Sequence, residues 1–178
     1  MREHFILLAD YNAWMNGKLY EAAGRLPAEA LHAQRNAFFG SLFGTLMHLA
    51  VGDTMWLRRF TAHPAGFPAL AAVASWPAPT ALDQRLFASL EELRRYRSQL
   101  DEVIRQLVAQ LTAPDLDFVL RYANSKGVVS HKRFSSLLLH FFNHQTHHRG
   151  QATTLLHQAG EDVGVTDLLA LIPSESDG

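Results

Sequence analysis

The chain has 178 residues, 48% hydrophobic and 19% charged, with a formal net charge of -1. That length suits one domain, residues 1–178, with a sizeable core, and the near-neutral charge offers no field to draw nucleic acid or an anionic membrane surface. There is no cysteine, which excludes disulfides, thiolate metal ligands and a cysteine nucleophile, so any metal must be held by histidine, carboxylate or water.

The N-terminal Met-Arg-Glu-His leads into an amphipathic segment with charges and Asn inside it, unlike a signal peptide. No apolar run approaches the roughly 20 residues of a membrane span. A cytoplasmic location is the default expectation. Residues 3–25 read as a first helix: Phe5, Leu8, Ala9, Leu19 and Ala23 recur at helical intervals, Trp14 is offset, and Pro27 closes the segment. Tyr11-Asn12-Ala13-Trp14-Met15-Asn16 is rich in amides and aromatics for mid-helix, a pattern expected of packing against a neighbour. Residues 28–40 read as a short helical or irregular connection.

Ser41 is the expected N-cap of a second helix over 41–62. Leu42, Leu46, Leu49, Trp56 and Phe60 form its apolar stripe. Asp53 lies in that stripe, where an unpaired carboxylate would be costly. His48 sits at the stripe's edge, flanked one turn away on each side by Gly44 and Gly52. Such a pair of glycines allows either close packing or room for an ion and something bound to it.

Residues 63–79 carry His63-Pro64, Phe67-Pro68 and Pro77-Ala78-Pro79 and read as a long loop of the kind that often overlies a site. Thr80 is the expected cap of a long third helix over 80–112, with Leu82, Leu86, Leu90, Leu93, Leu100, Val103, Ile104, Leu107 and Leu111 as its stripe. Its Glu91, Glu92, Arg94, Arg95 and Arg97 read as a solvated face. Residues 116–134 then change to a period of two around Asn124-Ser125-Lys126-Gly127, a β-hairpin signal that places His131 on the surface.

A fourth helix is expected over 134–159, with Gly160 as its C′ residue. At 100° per residue, His140 and His148 fall about 40° to either side of His144, on a face shared with Leu137, Gln151 and Leu155. His147 lies about 60° off. Several imidazoles on one inward face need partners. They form either a hydrogen-bonded polar core or a metal site, for which the i, i+4 pair His144/His148 has suitable spacing. Leu138, Phe142 and Leu156 form a second edge, expected to bury against the hairpin or a second subunit. The tail over 161–178 reads as loosely ordered, with Leu168–Ile172 packing somewhere.

Four helices and a small hairpin suggest an all-α up-and-down bundle, in which metal sites are built from inward side chains on facing helices. His48 is the third ligand to set beside His144 and His148: it lies about 10 Å along its helix and His144 about 15 Å along its own, similar heights if both helices start near the same end. Three neutral imidazoles suit a divalent ion, zinc or nickel first, with iron, cobalt or manganese as alternatives. Asp53 is the one carboxylate on an inward stripe, which argues against a di-iron carboxylate site. Asp53 is left to orient a ligand histidine, or to pair with Arg149 or another buried donor.

The stretch Thr45-Leu-Met-His48-Leu-Ala-Val-Gly-Asp-x-x-Trp56, followed by Asn143-His-Gln-Thr-His-His-Arg-Gly-Gln151, resembles the DinB/YfiT family. The likeness runs from Tyr11-Asn12-x-Trp14-x-Asn16 to Gly160. It implies a four-helix bundle with a divalent metal on His48, His144 and His148, and it leaves His140 and His147 outside the ligand set. Characterised relatives are thiol-dependent transferases and isomerases using bacillithiol, mycothiol or glutathione, so the resemblance implies a metal-held thiolate as nucleophile. Metal-activated water for hydrolysis is the alternative, as is a metal-stabilised binding or stress-response protein without turnover. The resemblance also implies a small-molecule substrate and a homodimer. No nucleic-acid or membrane partner is expected. No catalytic residue is assigned; Asp53 qualifies only if it reaches the open coordination position.

Overall fold

The computed structural model describes residues 1–124 and 126–174. Ser125, in the expected hairpin turn, and the end of the tail lie outside the described residues. Four long helices carry the structure: α1 (Arg2–Gly24), α3 (Leu42–Phe60), α4 (Leu90–Gln110) and α6 (Phe134–Gln158). Two short helices, α2 (Ala28–His32) and α5 (Ala113–Asp117), precede α3 and the hairpin, and 3-10 turns occupy Pro68–Ser75 and Leu168–Leu171. The molecule is mostly helical, with one small antiparallel sheet. Helix α1 packs on α4 and α6, and α3 packs on the same two helices. The apolar stripes of all four meet in one core that includes Phe5, Leu46, Phe60, Leu100, Ile104 and Phe141.

The expected ends of α1, α3 and α6 hold. Ser41 caps α3 by accepting the Gly44 amide at 3.1 Å, and Gly160 follows α6 with φ +89°, a conformation glycine adopts without the Cβ penalty. The hairpin also forms. Strand β1 (Val119–Ala123) pairs antiparallel with β2 (Val129–Arg133), and Arg121 stands opposite His131, which is exposed.

The third long helix starts later than its leucine spacing predicts. Thr80 does not cap it; Ser89 does. The Ser89 hydroxyl accepts the Glu92 amide while the Glu92 carboxylate accepts the Ser89 amide, a complete capping box. Residues 80–88 spend their polar groups elsewhere: the Thr80 amide on Gln84, the Ala88 amide on Glu92, and the Leu82 carbonyl on His48. Leu82 and Leu86 therefore belong to a loop rather than to the helix stripe. Within 63–79, Phe67, Ala69, Leu70 and Val73 are buried, so those side chains anchor an otherwise mostly exposed segment to the core.

Two other expectations are corrected. Arg97 is not part of a solvated face; it is 2% exposed. Leu138, Phe142 and Leu156 are buried within the chain, with Phe142 stacked on Phe5 of α1 at 6.1 Å. That edge is filled within the chain, with Phe142 against α1, and is not left open to a second subunit. The described part of the tail is tied to α1, where the Tyr11 hydroxyl donates to the Thr166 carbonyl at 2.6 Å.

Candidate metal centre

Helices α3 and α6 bring His48, His144 and His148 together, with one ring nitrogen from each within 4.8 Å of the others. Nε2 of His48 lies 3.2 Å from Nε2 of His144 and 3.2 Å from Nε2 of His148. Nitrogens held about 2.0–2.1 Å from a tetrahedral ion stand about 3.3 Å apart, so the spacing fits one ion.

The hydrogen bonds behind the rings decide what the facing nitrogens offer. Nδ1 of His48 lies 2.9 Å from the Leu82 carbonyl. A carbonyl only accepts, so Nδ1 carries the proton and Nε2 is a bare lone pair. Nδ1 of His148 lies 2.8 Å from Oε1 of Gln151, which fixes the same tautomer. Gln151 in turn offers Nε2 to Nε2 of His147 at 3.2 Å. Two lone pairs thus face each other across 3.2 Å. They repel unless a proton or a cation lies between them, and this is the observation on which the fit of a metal rests.

Electrostatics keeps the rings neutral. Burial lowers the His48 pKa to about 4, with the Leu82 hydrogen bond opposing and His148 adding to the shift. Burial, then His148 and His48, lowers that of His144 to about 3. His148 is also lowered, by burial first, with Gln151 opposing. A neutral imidazole is the ligand form.

Both glycines beside His48 prove to be contact points. A Cβ on Gly44 would lie 2.2 Å from the Phe39 carbonyl oxygen, and one on Gly52 would lie 3.0 Å from Cε1 of His144. Gly44 admits the turn at Ala37–Gly40, whose Phe39 ring stacks on His48 at 3.8 Å. Gly52 admits the His144 ring itself. Close packing therefore explains both, and at Gly52 the close packing builds the cluster. Behind Phe39 and Leu82 lies a cavity of about 470 Å³, also lined by Phe38, Phe43, Met47 and Arg85.

The remaining candidates lie outside the cluster. His140 is exposed, edge-on to Trp56 at 5.1 Å and 6.1 Å from the His144 ring. His147 is exposed and meets the cluster through Gln151. Asp53 touches none of the three histidines among the described hydrogen bonds. It is fully buried, and one oxygen accepts from both Arg97 and Gln145, the latter at 2.9 Å. This removes it as a ligand-orienting or catalytic group and makes it a partner of buried donors.

Arg97 also pairs with Asp101 at 3.0 Å, and Asp101 accepts from Asn12 at 3.0 Å and Asn16 at 2.9 Å. Asn12 accepts from Arg149. Burial opposes the Arg97 charge, but Asp101 and Asp53 more than offset it and raise its pKa. This network crosses all four long helices and accounts for the amides of α1. It was legible at Arg97, which falls four residues after Leu93 and three before Leu100, inside the apolar stripe. The Leu82 carbonyl had no such signal, because a backbone acceptor leaves no mark in sequence.

A family model described as the DinB family matches residues 1–177. The relative called Protein DinB, from Bacillus subtilis (strain 168), is 28% identical over 167 residues, 94% of this chain and 92% of that protein. No solved structure matches the chain.

Proposed function

Because this chain belongs to the DinB family and two of its clustered imidazoles turn bare lone pairs on each other, we propose that it binds one divalent ion through His48, His144 and His148. The four long helices are then the four-helix bundle of that family, with the ion between α3 and α6. The bound ion would act as a Lewis acid, stabilising an anionic nucleophile at neutral pH. His48 and His148 hold their coordinating nitrogens unprotonated, and the Leu82 carbonyl and Gln151 keep their rings oriented.

The chemistry we favour is thiol-dependent group transfer on a small molecule. Three neutral histidines leave the full charge of a divalent ion uncompensated, which favours an anionic ligand such as a thiolate from a low-molecular-weight thiol. The chain has no cysteine, so the thiol must come from outside. Hydrolysis has less support here. Asp53, the carboxylate in the stripe of α3, is committed to Arg97 and Gln145, and the His cluster contains no carboxylate to serve as general base. Among the described residues no helix is long and apolar enough to cross a membrane. A homodimer would have to use a face other than the Leu138/Phe142/Leu156 edge.

Elemental analysis tests the reading, using protein purified without chelator or a His tag. About one divalent ion per chain is expected in the wild type, and none in His48→Ala or His144→Ala. An empty wild type that also fails to take up added Zn²⁺ or Ni²⁺ would reduce the cluster to a polar core and remove the enzyme reading.

A further inference from the structure

Between α3, the Pro79–Thr80 segment and the hairpin turn lies a cleft of about 370 Å³ lined by Met55, Arg58, Arg59, Pro79, Thr80 and Asn124. It is linked to the histidine cluster by ring contacts: His144 to His140 at 6.1 Å, and His140 to Trp56 at 5.1 Å. Arg59 lies over the Trp56 ring at 4.7 Å. It comes eleven residues after His48, three helical turns plus about 20°, so the two share one face of α3 about 16 Å apart along the axis.

The two arginines of the cleft differ in what they do. Arg58 spends Nη1 on the carbonyls of Val73, Ala74 and Trp76. Arg59 is half-buried and, among the described residues, makes no hydrogen bond or ion pair; its contacts are the faces of Trp56 and Tyr122. Burial lowers its pKa, with Tyr122 opposing, as expected of a cation with no acid beside it. Among the described residues no carboxylate lines the cleft. Asn124 uses its side-chain oxygen on the amides of Lys126 and Val128, which leaves its Nδ2 as a second donor. Met55 and Pro79 supply apolar surface beside these donors.

A planar guanidinium without an anion, backed by aromatic rings and facing a cleft, matches a carboxylate. We infer that this cleft binds a small organic carboxylate, with its anionic group on Arg59 and its apolar body against Met55 and Pro79. The inference concerns a binding site separate from the histidine cluster, and it stands on Arg59 whether or not the metal reading holds.

Calorimetric titration with 4-phenylbutyrate and its neutral analogue 4-phenylbutanamide tests it, on zinc-treated and chelator-treated protein. The wild type should bind the acid about tenfold more tightly than the amide, in both metal states. Arg59→Met, which keeps an apolar stem over Trp56, should abolish that preference at an unchanged melting temperature. If Arg59→Met does not fold, Arg59→Lys replaces it; losing the planar fork, it should weaken the acid about threefold and leave the amide unchanged. Equal binding of acid and amide, no binding of either, or a wild-type preference left undiminished by these substitutions would overturn the inference. Acid binding that requires zinc and ignores Arg59 would overturn it while leaving the metal site intact. An Arg59-dependent preference in protein that takes up no zinc would uphold the cleft and sink the metal reading instead.

Discussion

A Cβ on Gly52 would stand 3.0 Å from Cε1 of His144, so the bare backbone of α3 there lets α6 seat its first cluster imidazole where it lies. Gly52→Ala should therefore push His144 away from His48 and weaken zinc binding at least about tenfold, as loss of one ligand's orientation does. Competition with a chromogenic chelator measures it. Gly17, also mid-helix, has no heavy atom within 4 Å of a built Cβ. Gly17→Ala should stabilise the fold by about 0.5–1 kcal/mol, read from urea melts, and leave metal affinity unchanged.

Gln151 holds His148 by its Nδ1 proton at 2.8 Å. Gln151→Leu removes that acceptor and frees the tautomer. Metal affinity should fall about 10- to 100-fold while the metal-free melting temperature changes little. Gln151→Glu, which keeps an acceptor, should retain binding. If the Leu variant bound zinc like the wild type, Gln151 would have no part in setting the ligand.

The Asp53–Arg97 pair is buried from both sides, at 0% and 3% side-chain exposure. Arg97→Met leaves two buried carboxylates without their cation and should cost about 3–5 kcal/mol in chemical denaturation. Asp53→Asn should cost less, because Asp101 still faces Arg97 at 3.0 Å. Neither partner touches the histidines, so the folded Asp53→Asn protein should still carry its metal in elemental analysis.

Acid should destabilise the metal-free protein well before ordinary carboxylates titrate. The folded-state pKa values of His48 and His144 are lowered to about 4 and about 3, against about 6.5 in an unfolded chain. Below 6.5 the unfolded chain takes up protons that the folded cluster refuses, so stability is full above that pH and drains away as pH falls toward 4 and 3. Chelator-treated protein should melt several degrees lower at pH 5 than at pH 7. His144→Gln should flatten the dependence, and an unchanged slope would mean that the cluster is not its source.

The extents of three of the four long helices could be read from sequence with the help of local signals: Ser41 at the start of α3, Pro27 and Pro64 beyond α1 and α3, and Gly160 beyond α6. Helix α4 shows the limit of that reading. Leucine spacing carried the period back to Leu82, but Ser89 and Glu92 close a complete capping box, and the Leu82 carbonyl meets His48 instead of a helix amide. The pairing of His144 with His148 was likewise local, four residues on one face. Tertiary structure decided the rest. It set His48 against that pair, put Phe39 over the ring, spent Asp53 on Arg97 rather than on a histidine, and buried the second edge of α6 within the chain. These are contacts between residues tens of positions apart. Helical periodicity tells which face of a helix turns inward, but the identity of the side chain opposite depends on how the helices are docked, and that is fixed only when the whole core packs.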